Sequence, residues 1–260
     1  MIYSANDYGR AHYNSFQIKA ETKSSKSGLY ALVGYTYSRN YDTGFTDGVG
    51  TSTGQAYFPL PNWGKLDWGL SQINLNNSFT ASVIYDLPFG KGKKYGSSWN
   101  NTTNTLLGNW QINVIERITS GFPVFVFNST NASGVNFNSN GNSFNRPNQV
   151  CDPNSGVHQN IGEWFNVSCF VGAPVGELGN ANRTPVNGPD YVNTDFSVVK
   201  GFALPWENMH LDFRAEIFNL FNHAQFGLPG GDVGSPSQFG KINFTVNNPR
   251  LVQFGLKLNF

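Results

Sequence analysis

Alternating apolar side chains in strand-length segments are the feature of this sequence that most constrains its fold. In the clearest segment, Leu211, Phe213, Ala215 and Ile217 alternate with Asp212, Arg214 and Glu216. A period of two residues is typical of a β-strand, because successive side chains of a strand point to opposite faces. The same pattern predicts strands at about 12–22, 29–38, 79–87, 107–127, 192–202, 211–217 and 251–260.

The fourth predicted strand is less regular than the others. Trp110, Ile112 and Val114 share one face, but Glu116 then falls in phase with them. A charged side chain in an apolar row suggests that one extra residue shifts the pairing. We therefore expect a bulge or a change of register near Glu116.

The lengths of the connections narrow the fold further. Short connections at about 23–28, 90–105 and 204–208 alternate with long loops at about 42–75, 128–190 and 223–249. Transmembrane β-barrels show this asymmetry, with short periplasmic turns and long extracellular loops, and their tilted strands need ~9–11 residues to cross a bilayer. We therefore expect an all-β fold, an antiparallel transmembrane β-barrel segment with long extracellular loops. It would form a single unit over residues 1–260, with about seven long strands and an incomplete barrel.

Composition agrees with strands and excludes two classes of protein. Aromatic residues make up 15% of the chain and charged residues only 13%, whereas soluble domains usually reach about a quarter charged. No apolar run approaches the ~20 residues that a membrane-spanning helix needs, which excludes a helical membrane protein. A net charge of +1 with scattered Lys and Arg gives no electrostatic basis for nucleic-acid binding. Some of the aromatic residues Tyr41, Trp63, Trp68, Trp99 and Trp110 would line the membrane interface.

The end of the sequence carries a recognisable signal. Val252, Phe254, Leu256, Leu258 and Phe260 share one face, as expected for a strand that contacts lipid. Gln253, Gly255, Leu258 and Phe260 occupy the fixed places of the terminal assembly signal of outer-membrane proteins. We therefore expect the bacterial outer membrane as the location, with outer-membrane lipid and the barrel-assembly machinery as partners.

A family resemblance follows from several motifs in order along the chain. The segment 213–223 resembles the RxExFNxFN strand near the end of TonB-dependent receptors, in particular the large Oar-like receptors of Acidobacteria. Further matches lie at 85–90, 179–183, 188–189, 195–197 and 249–250. The resemblance implies a wide barrel with an N-terminal plug that imports a scarce ligand with energy from the inner membrane.

The sequence departs from that family in its extent. It shows neither a plug, nor a segment that contacts TonB, nor a signal peptide. We therefore expect a fragment, the C-terminal barrel portion of a receptor, in which the TonB complex would be reached only through missing N-terminal parts. The motifs specify neither the transported ligand nor the residues that bind it.

Few residues suggest chemistry. The histidines His12, His158, His210 and His223 are dispersed, so no metal site, catalytic site or cofactor is expected, and the chain is not predicted to be an enzyme. Asp212, Arg214 and Glu216 share a strand face and could neighbour Lys257 on the next strand. We interpret these four residues as a charge ladder inside the barrel.

The two cysteines, Cys151 and Cys169, lie in the longest predicted loop. Their spacing is not that of a metal site. We expect a disulfide formed in an oxidising compartment, worth ~3 kcal/mol, with two unrelated free thiols as the alternative.

One alternative function remains open from the residues alone. A soluble antiparallel sheet shows the same alternation as a membrane barrel, with water and core exchanged. The alternative is a secreted soluble β-protein that binds glycans through its aromatic loops.

Overall fold

The structure, a computed structural model, describes residues 10–24, 26–43, 68–130, 134, 145–205 and 209–260. The strands are β1 (Ala11–Ser24), β2 (Leu29–Asp42), β3 (Gly69–Leu70), β4 (Asn77–Asp86), β5 (Trp110–Thr119), β6 (Pro123–Val124), β7 (Asn148–Gln149), β8 (Phe170–Val171), β9 (Val186–Asn187), β10 (Tyr191–Ala203), β11 (His210–Phe218) and β12 (Leu251–Asn259). The helices are α1 (Asn101–Leu107) and a 3₁₀ turn at Val167–Cys169. Most of the predicted loop at 42–75, including Trp63, and part of the predicted turn at 204–208 lie outside the described residues.

Seven long strands form one antiparallel sheet within the described residues. Their order is β1-β2-β4-β5-β10-β11-β12, and the short β3 pairs with the end of β2. Each long strand pairs with the next long strand along the chain, so the sheet is a meander. The predicted all-β antiparallel fold is therefore confirmed.

The register sorts the side chains of the sheet into two faces. One row of paired residues crosses six strands and is apolar throughout: Leu29, Tyr85, Ile112, Val198, Ala215 and Phe254. A neighbouring row on the other side is polar across β5, β10, β11 and β12, with Asn113, Ser197, Glu216 and Gln253, and it continues through Ile84 in β4. We call these sides the apolar face and the polar face.

The described protein leaves much of the apolar face uncovered. Phe254 is 72% exposed and Leu256 is 70% exposed, both near the middle of β12. In water such a surface would drive aggregation, whereas against lipid it needs no protein cover. This geometry suits a sheet that stands in a membrane.

The expected bulge near Glu116 is wrong. β5 pairs with β4 and with β10 without interruption, so Glu116 stays on the apolar face between Ala81 and Thr194. The hydroxyl of Thr194 donates a hydrogen bond to the Glu116 carboxylate at 2.6 Å. The polar neighbour accommodates the carboxylate, so the strand needs no shift of register.

The fourth strand is also shorter than predicted, because β5 ends at Thr119. The backbone at Gly121 then runs so close to the carbonyl of Gly188 that a Cβ at Gly121 would collide with it. This crossing turns the chain out of the sheet, and Pro123–Val124 pairs with Val186–Asn187 in a separate small sheet.

The connection between β4 and β5 contains an unpredicted helix, α1. Asn100 caps it by accepting a hydrogen bond from the backbone N–H of Thr103 at 2.8 Å. The helix spans only Asn101–Leu107, too short for an apolar period to show in the sequence. Asn100 is the one local signal of its start.

The edges of the sheet are β1 and β12. Among the described residues, each of these strands pairs with a single neighbour, so the sheet is an open arc rather than a closed barrel. Both edges carry a row of backbone groups able to pair with a further strand.

The buried hydrophobic core lies outside the sheet. Its cluster consists of Val124, Val126, Phe165, Cys169, Phe170, Ala181, Val186 and Phe239. All of these residues belong to the two long connections, 120–190 and 219–250. We call the described parts of these connections, 120–130, 145–190 and 219–250, the cap.

Phe254→Lys tests the assignment of the two faces. A lysine in the middle of the apolar face should cost about 2–4 kcal/mol of folded, membrane-inserted state. The inserted fraction, measured by protease resistance in isolated outer membranes, should therefore fall strongly. The control is Ser197→Lys, which places the same charge on the polar face beside Glu216, outside the terminal signal, and should insert like the wild type. Equal insertion of both variants would contradict the assignment.

Candidate functional site

The cap is built around three phenylalanines from its two connections. Phe165, Phe170 and Phe239 meet edge to face, with ring centroids 5.2–5.8 Å apart. Phe165 is fully buried. Edge-to-face packing brings the positive ring edge of one phenylalanine to the negative face of another, so the trio joins the connections as one unit.

A disulfide closes the first connection of the cap. Cys151 and Cys169 are bonded, with their Cα atoms 4.9 Å apart. Cys169 is fully buried against the phenylalanine trio. The bond holds the segment between the two cysteines on the core of the cap.

An ion pair ties the cap to the sheet. The guanidinium of Arg183 pairs with the carboxylate of Asp42 at the end of β2, and it also faces the carbonyl of Leu70 in β3 at 3.4 Å. Next to it, the hydroxyl of Thr184 donates a hydrogen bond to the same carbonyl at 2.7 Å. We call Arg183, Thr184, Asp42 and Leu70 the latch.

The latch is buried. The side chains of Arg183 and Asp42 are 1% and 8% exposed. Nε and Nη1 of Arg183 have no hydrogen-bond partner among the described residues. A buried pair is expensive to break by removing one partner, because the remaining charge is left without compensation.

A cavity of about 490 Å³ opens beside the latch. Its lining includes Trp164, Asn154, Gln159, Asn187 and Asp190. The indole N–H of Trp164 donates to the carbonyl of Asn187 at 2.8 Å, which fixes the ring at the cavity wall. An aromatic surface with amide groups and the Asp190 carboxylate around it suits a polar ligand rich in hydroxyl groups.

A tight turn in the second connection contains Asp232. Burial raises the pKa of the Asp232 carboxyl. Hydrogen bonds from Ser129, Ser235 and Gly234 outweigh this effect and hold the pKa below its ordinary value. Because Ser129 lies in the first connection, the ionised carboxylate joins both parts of the cap.

The polar face carries the four residues of the predicted charge ladder. Asp212 lies opposite Lys257 in the register, and Glu216 lies opposite Gln253. The Asp212 carboxylate accepts a hydrogen bond from Asn259 at 3.0 Å, and Glu216 accepts one from Gln253. Arg214 lines a cavity of about 360 Å³ together with Asp86 and Lys93. In the described part of the chain no ion pair joins the four ladder residues to one another.

The proposed terminal signal divides between the two faces. Gln253 and Gly255 lie on the polar face, opposite Glu216 and Arg214. Leu258 lies on the apolar face, and Phe260 follows β12 with 95% of its surface exposed. Recognition of this signal by assembly machinery stays a prediction.

The motif at 213–223 has a structural role at the end of β11. Asn219 and Asn222 both adopt a left-handed φ of 52°, a conformation that asparagine tolerates. The Asn219 amide donates to the carbonyls of His223 and Asn248, and the Asn222 side chain accepts from the backbone N–H of Arg250. The motif thus fastens the start of the β11–β12 connection to its end.

Sequence reasoning missed the latch, the cavity beside Trp164 and the Asp232 turn. Arg183 falls within one of the motifs of the family resemblance, but nothing local in the sequence indicates its partner Asp42. The Asp232–Ser235 stretch carries a turn signal, since an Asp followed two residues later by Gly favours an Asx turn.

Arg183→Leu should destabilise the cap by about 3–5 kcal/mol, because it removes the guanidinium that pairs with the buried Asp42 carboxylate. The double variant Arg183→Leu with Asp42→Leu should recover most of that loss, since both charges are removed together. The measurement is limited proteolysis of the cap in detergent-extracted protein. A double variant as sensitive as the single one would contradict the latch.

Asp232→Asn should loosen the cap at neutral pH and have no effect in strong acid. The folded-state pKa of Asp232 is lowered. Its stabilisation is therefore complete above the unfolded-state pKa and is lost as the pH falls through the folded value. Amide hydrogen exchange of residues 226–240 should differ between variant and wild type at neutral pH and converge in acid. A difference that persists unchanged in acid would contradict this role.

Comparison with known proteins agrees with the geometry. Among the described residues no helix is both long and apolar enough to cross a membrane. No curated protein and no solved structure gives a significant match. A family profile described as an outer membrane beta barrel domain matches residues 1–253, nearly the whole chain. The match places the protein in the bacterial outer membrane, and it shows that the chain belongs to the outer membrane beta barrel domain family.

Proposed function

We propose that this chain forms part of the barrel wall of a TonB-dependent receptor and acts in ligand import rather than as an enzyme. The observation that carries the proposal is the open arc of seven strands roofed by a latched cap. An arc of seven strands with a separately folded cap suits a barrel that is wide enough to hold a plug. The order of motifs that resembles these receptors gives independent support.

The direction of the strands constrains how the barrel closes. In a meander with seven long strands, β1 and β12 run the same way. Antiparallel pairing at both edges therefore needs an odd number of additional strands, and the even total that results is usual for bacterial barrels. A second copy of this chain in the same orientation would place parallel neighbours at both edges. We infer that the additional strands come from other polypeptide sequence.

The orientation follows from the connections. Within the described residues, the connections that follow β2, β5 and β11 leave the sheet at one end, and those that follow β1, β4 and β10 leave it at the other. Long loops face the outside in such barrels, so the cap is the extracellular end. The polar face then lines the lumen beneath it.

The cavity beside Trp164 is the proposed ligand contact in the cap. Its lining offers amide groups of Asn154, Gln159 and Asn187 next to an indole ring. Oligosaccharides and similar hydroxyl-rich ligands bind to such surfaces, because their sugar rings stack on aromatic side chains and their hydroxyl groups form hydrogen bonds with amide groups. The proposed ligand is thus a glycan, as in the alternative of a secreted glycan-binding protein, but the protein that binds it lies in the outer membrane.

Uptake of a radiolabelled mixture of maltooligosaccharides by cells that naturally make the protein tests the proposal. Deleting the gene should abolish uptake, and a protonophore should do the same, because import depends on energy from the inner membrane. Trp164→Ala should lower uptake about fivefold or more, given ~1–3 kcal/mol for loss of an aromatic contact. The control is Trp99→Ala at the other end of the sheet.

The possible outcomes separate the parts of the proposal. Uptake that needs the gene but persists with the protonophore would mean passive diffusion and would contradict the receptor assignment. Uptake that is unchanged by gene deletion would contradict the oligosaccharide ligand. Equal effects of Trp164→Ala and Trp99→Ala would contradict the cavity as the contact.

A further inference from the structure

The connection between β4 and β5, residues 87–109, has an unusual charge. It contains Lys91, Lys93 and Lys94 and no acidic residue, in a chain whose net charge is +1. It lies at the end of the sheet opposite the cap, the periplasmic end. Much of the positive charge at this rim is therefore concentrated in one connection.

The end of α1 lies against the apolar face. Trp110 stands on that face, opposite Lys200, and its indole N–H donates to the carbonyl of Leu106 at 3.2 Å. The ammonium of Lys200 donates to the carbonyls of Gly108 and Gly201. Lys200 is 2% exposed. These contacts hold the connection on the lipid side of the barrel rim.

The same connection exposes apolar side chains. Leu106 is 63% exposed, Leu107 is 54% exposed and Tyr95 is 50% exposed. The two leucines lie just before Trp110, the first residue of β5 on the apolar face, and the Leu106 carbonyl accepts the hydrogen bond from its indole. An exposed apolar surface at a membrane rim favours burial among lipid chains, with aromatic rings at the headgroup level.

The lysines differ in where they point. The ammonium of Lys91 donates to the Asn101 side chain at 2.6 Å, at the start of α1. The ammonium of Lys94 lies 5.2 Å from the centre of the Tyr95 ring. Lys93 instead lines the cavity on the polar face that also contains Asp86 and Asp212. Lys91 therefore lies at the start of the helix that ends in Leu106 and Leu107, and Lys94 lies beside Tyr95.

We propose that Lys91, Lys94, Tyr95, Leu106 and Leu107, the rim patch, bind the headgroup of an anionic phospholipid in the periplasmic leaflet. The leucines enter the acyl region, and the two ammonium groups hold the phosphate. The adjoining lipid-contacting face supplies the membrane position, and the lack of acidic residues in 87–109 supplies the charge preference. A membrane lipid fits better than an acidic protein because the exposed leucines adjoin the apolar face at Trp110.

The test uses the full chain extracted from outer membranes and placed in nanodiscs of equal phosphatidylcholine and phosphatidylglycerol. Native mass spectrometry after mild delipidation gives the ratio of the two retained lipids. The wild type should retain phosphatidylglycerol preferentially. Lys91→Gln with Lys94→Gln should reduce that preference on the order of 20-fold, since each lysine near a membrane surface contributes about fivefold.

The matched control removes the same charge from the same end of the sheet. Lys23→Gln with Lys26→Gln alters the β1–β2 turn region, and this pair should keep the wild-type preference. Equal losses in both pairs would mean a response to net charge alone and would overturn the rim patch. A wild type without preference for phosphatidylglycerol would also overturn it.

A second measurement tests the depth of the leucines. Both cysteines are in the disulfide, so Leu106→Cys supplies a single free thiol for a polarity-sensitive dye. Its emission should be quenched by lipids brominated on the acyl chain, whereas the same dye at Ser97→Cys should be quenched much less. Equal quenching at the two positions, or none at Leu106→Cys, would overturn insertion of the rim patch and favour a protein partner.

Discussion

The rest of this structure depends on the pairing of backbone hydrogen-bonding groups in a medium without water. Inside a bilayer an unpaired backbone N–H or C=O costs several kcal/mol, so a strand must have a neighbour on each side. Among the residues that the structure describes, the meander supplies that neighbour for every long strand except β1 and β12. Further strands must therefore pair with the two edges, and the direction of β1 and β12 determines how many such strands can close the sheet.

Strand pairing also determines which side chains lie on the apolar face. Because the register is continuous, a charged side chain on that face needs a hydrogen-bond partner close by. Glu116 accepts a hydrogen bond from the Thr194 hydroxyl, and Lys200 donates to the carbonyls of Gly108 and Gly201. Thr194 is the register partner of Glu116, and Gly108 lies two residues before Trp110, the register partner of Lys200. Neither contact requires a distortion of the sheet.

The sequence predicted the sheet well because the information was local. A period of two residues marks each strand, and all seven predicted strands appear within a few residues of their expected positions, apart from the fourth. The misjudged residue was Glu116, since its partner Thr194 lies far along the chain and only the fold brings them together. The ion pair of the latch could not be predicted for the same reason, because only the tertiary structure brings Arg183 and Asp42 together. The Cys151–Cys169 bond was easier to expect, because the chain has only these two cysteines.

The location of the hydrophobic core outside the sheet has a consequence for how the molecule comes apart. The cap is held by burial of Phe165, Phe170 and Phe239 away from water, a force that chaotropic solutes weaken. The strands are held by lipid and by hydrogen bonds that such solutes reach poorly. A chaotrope should therefore unfold the cap before the sheet, whereas removal of lipid should destabilise the sheet before the cap. The stability of the cap thus depends on water, and that of the sheet depends on lipid.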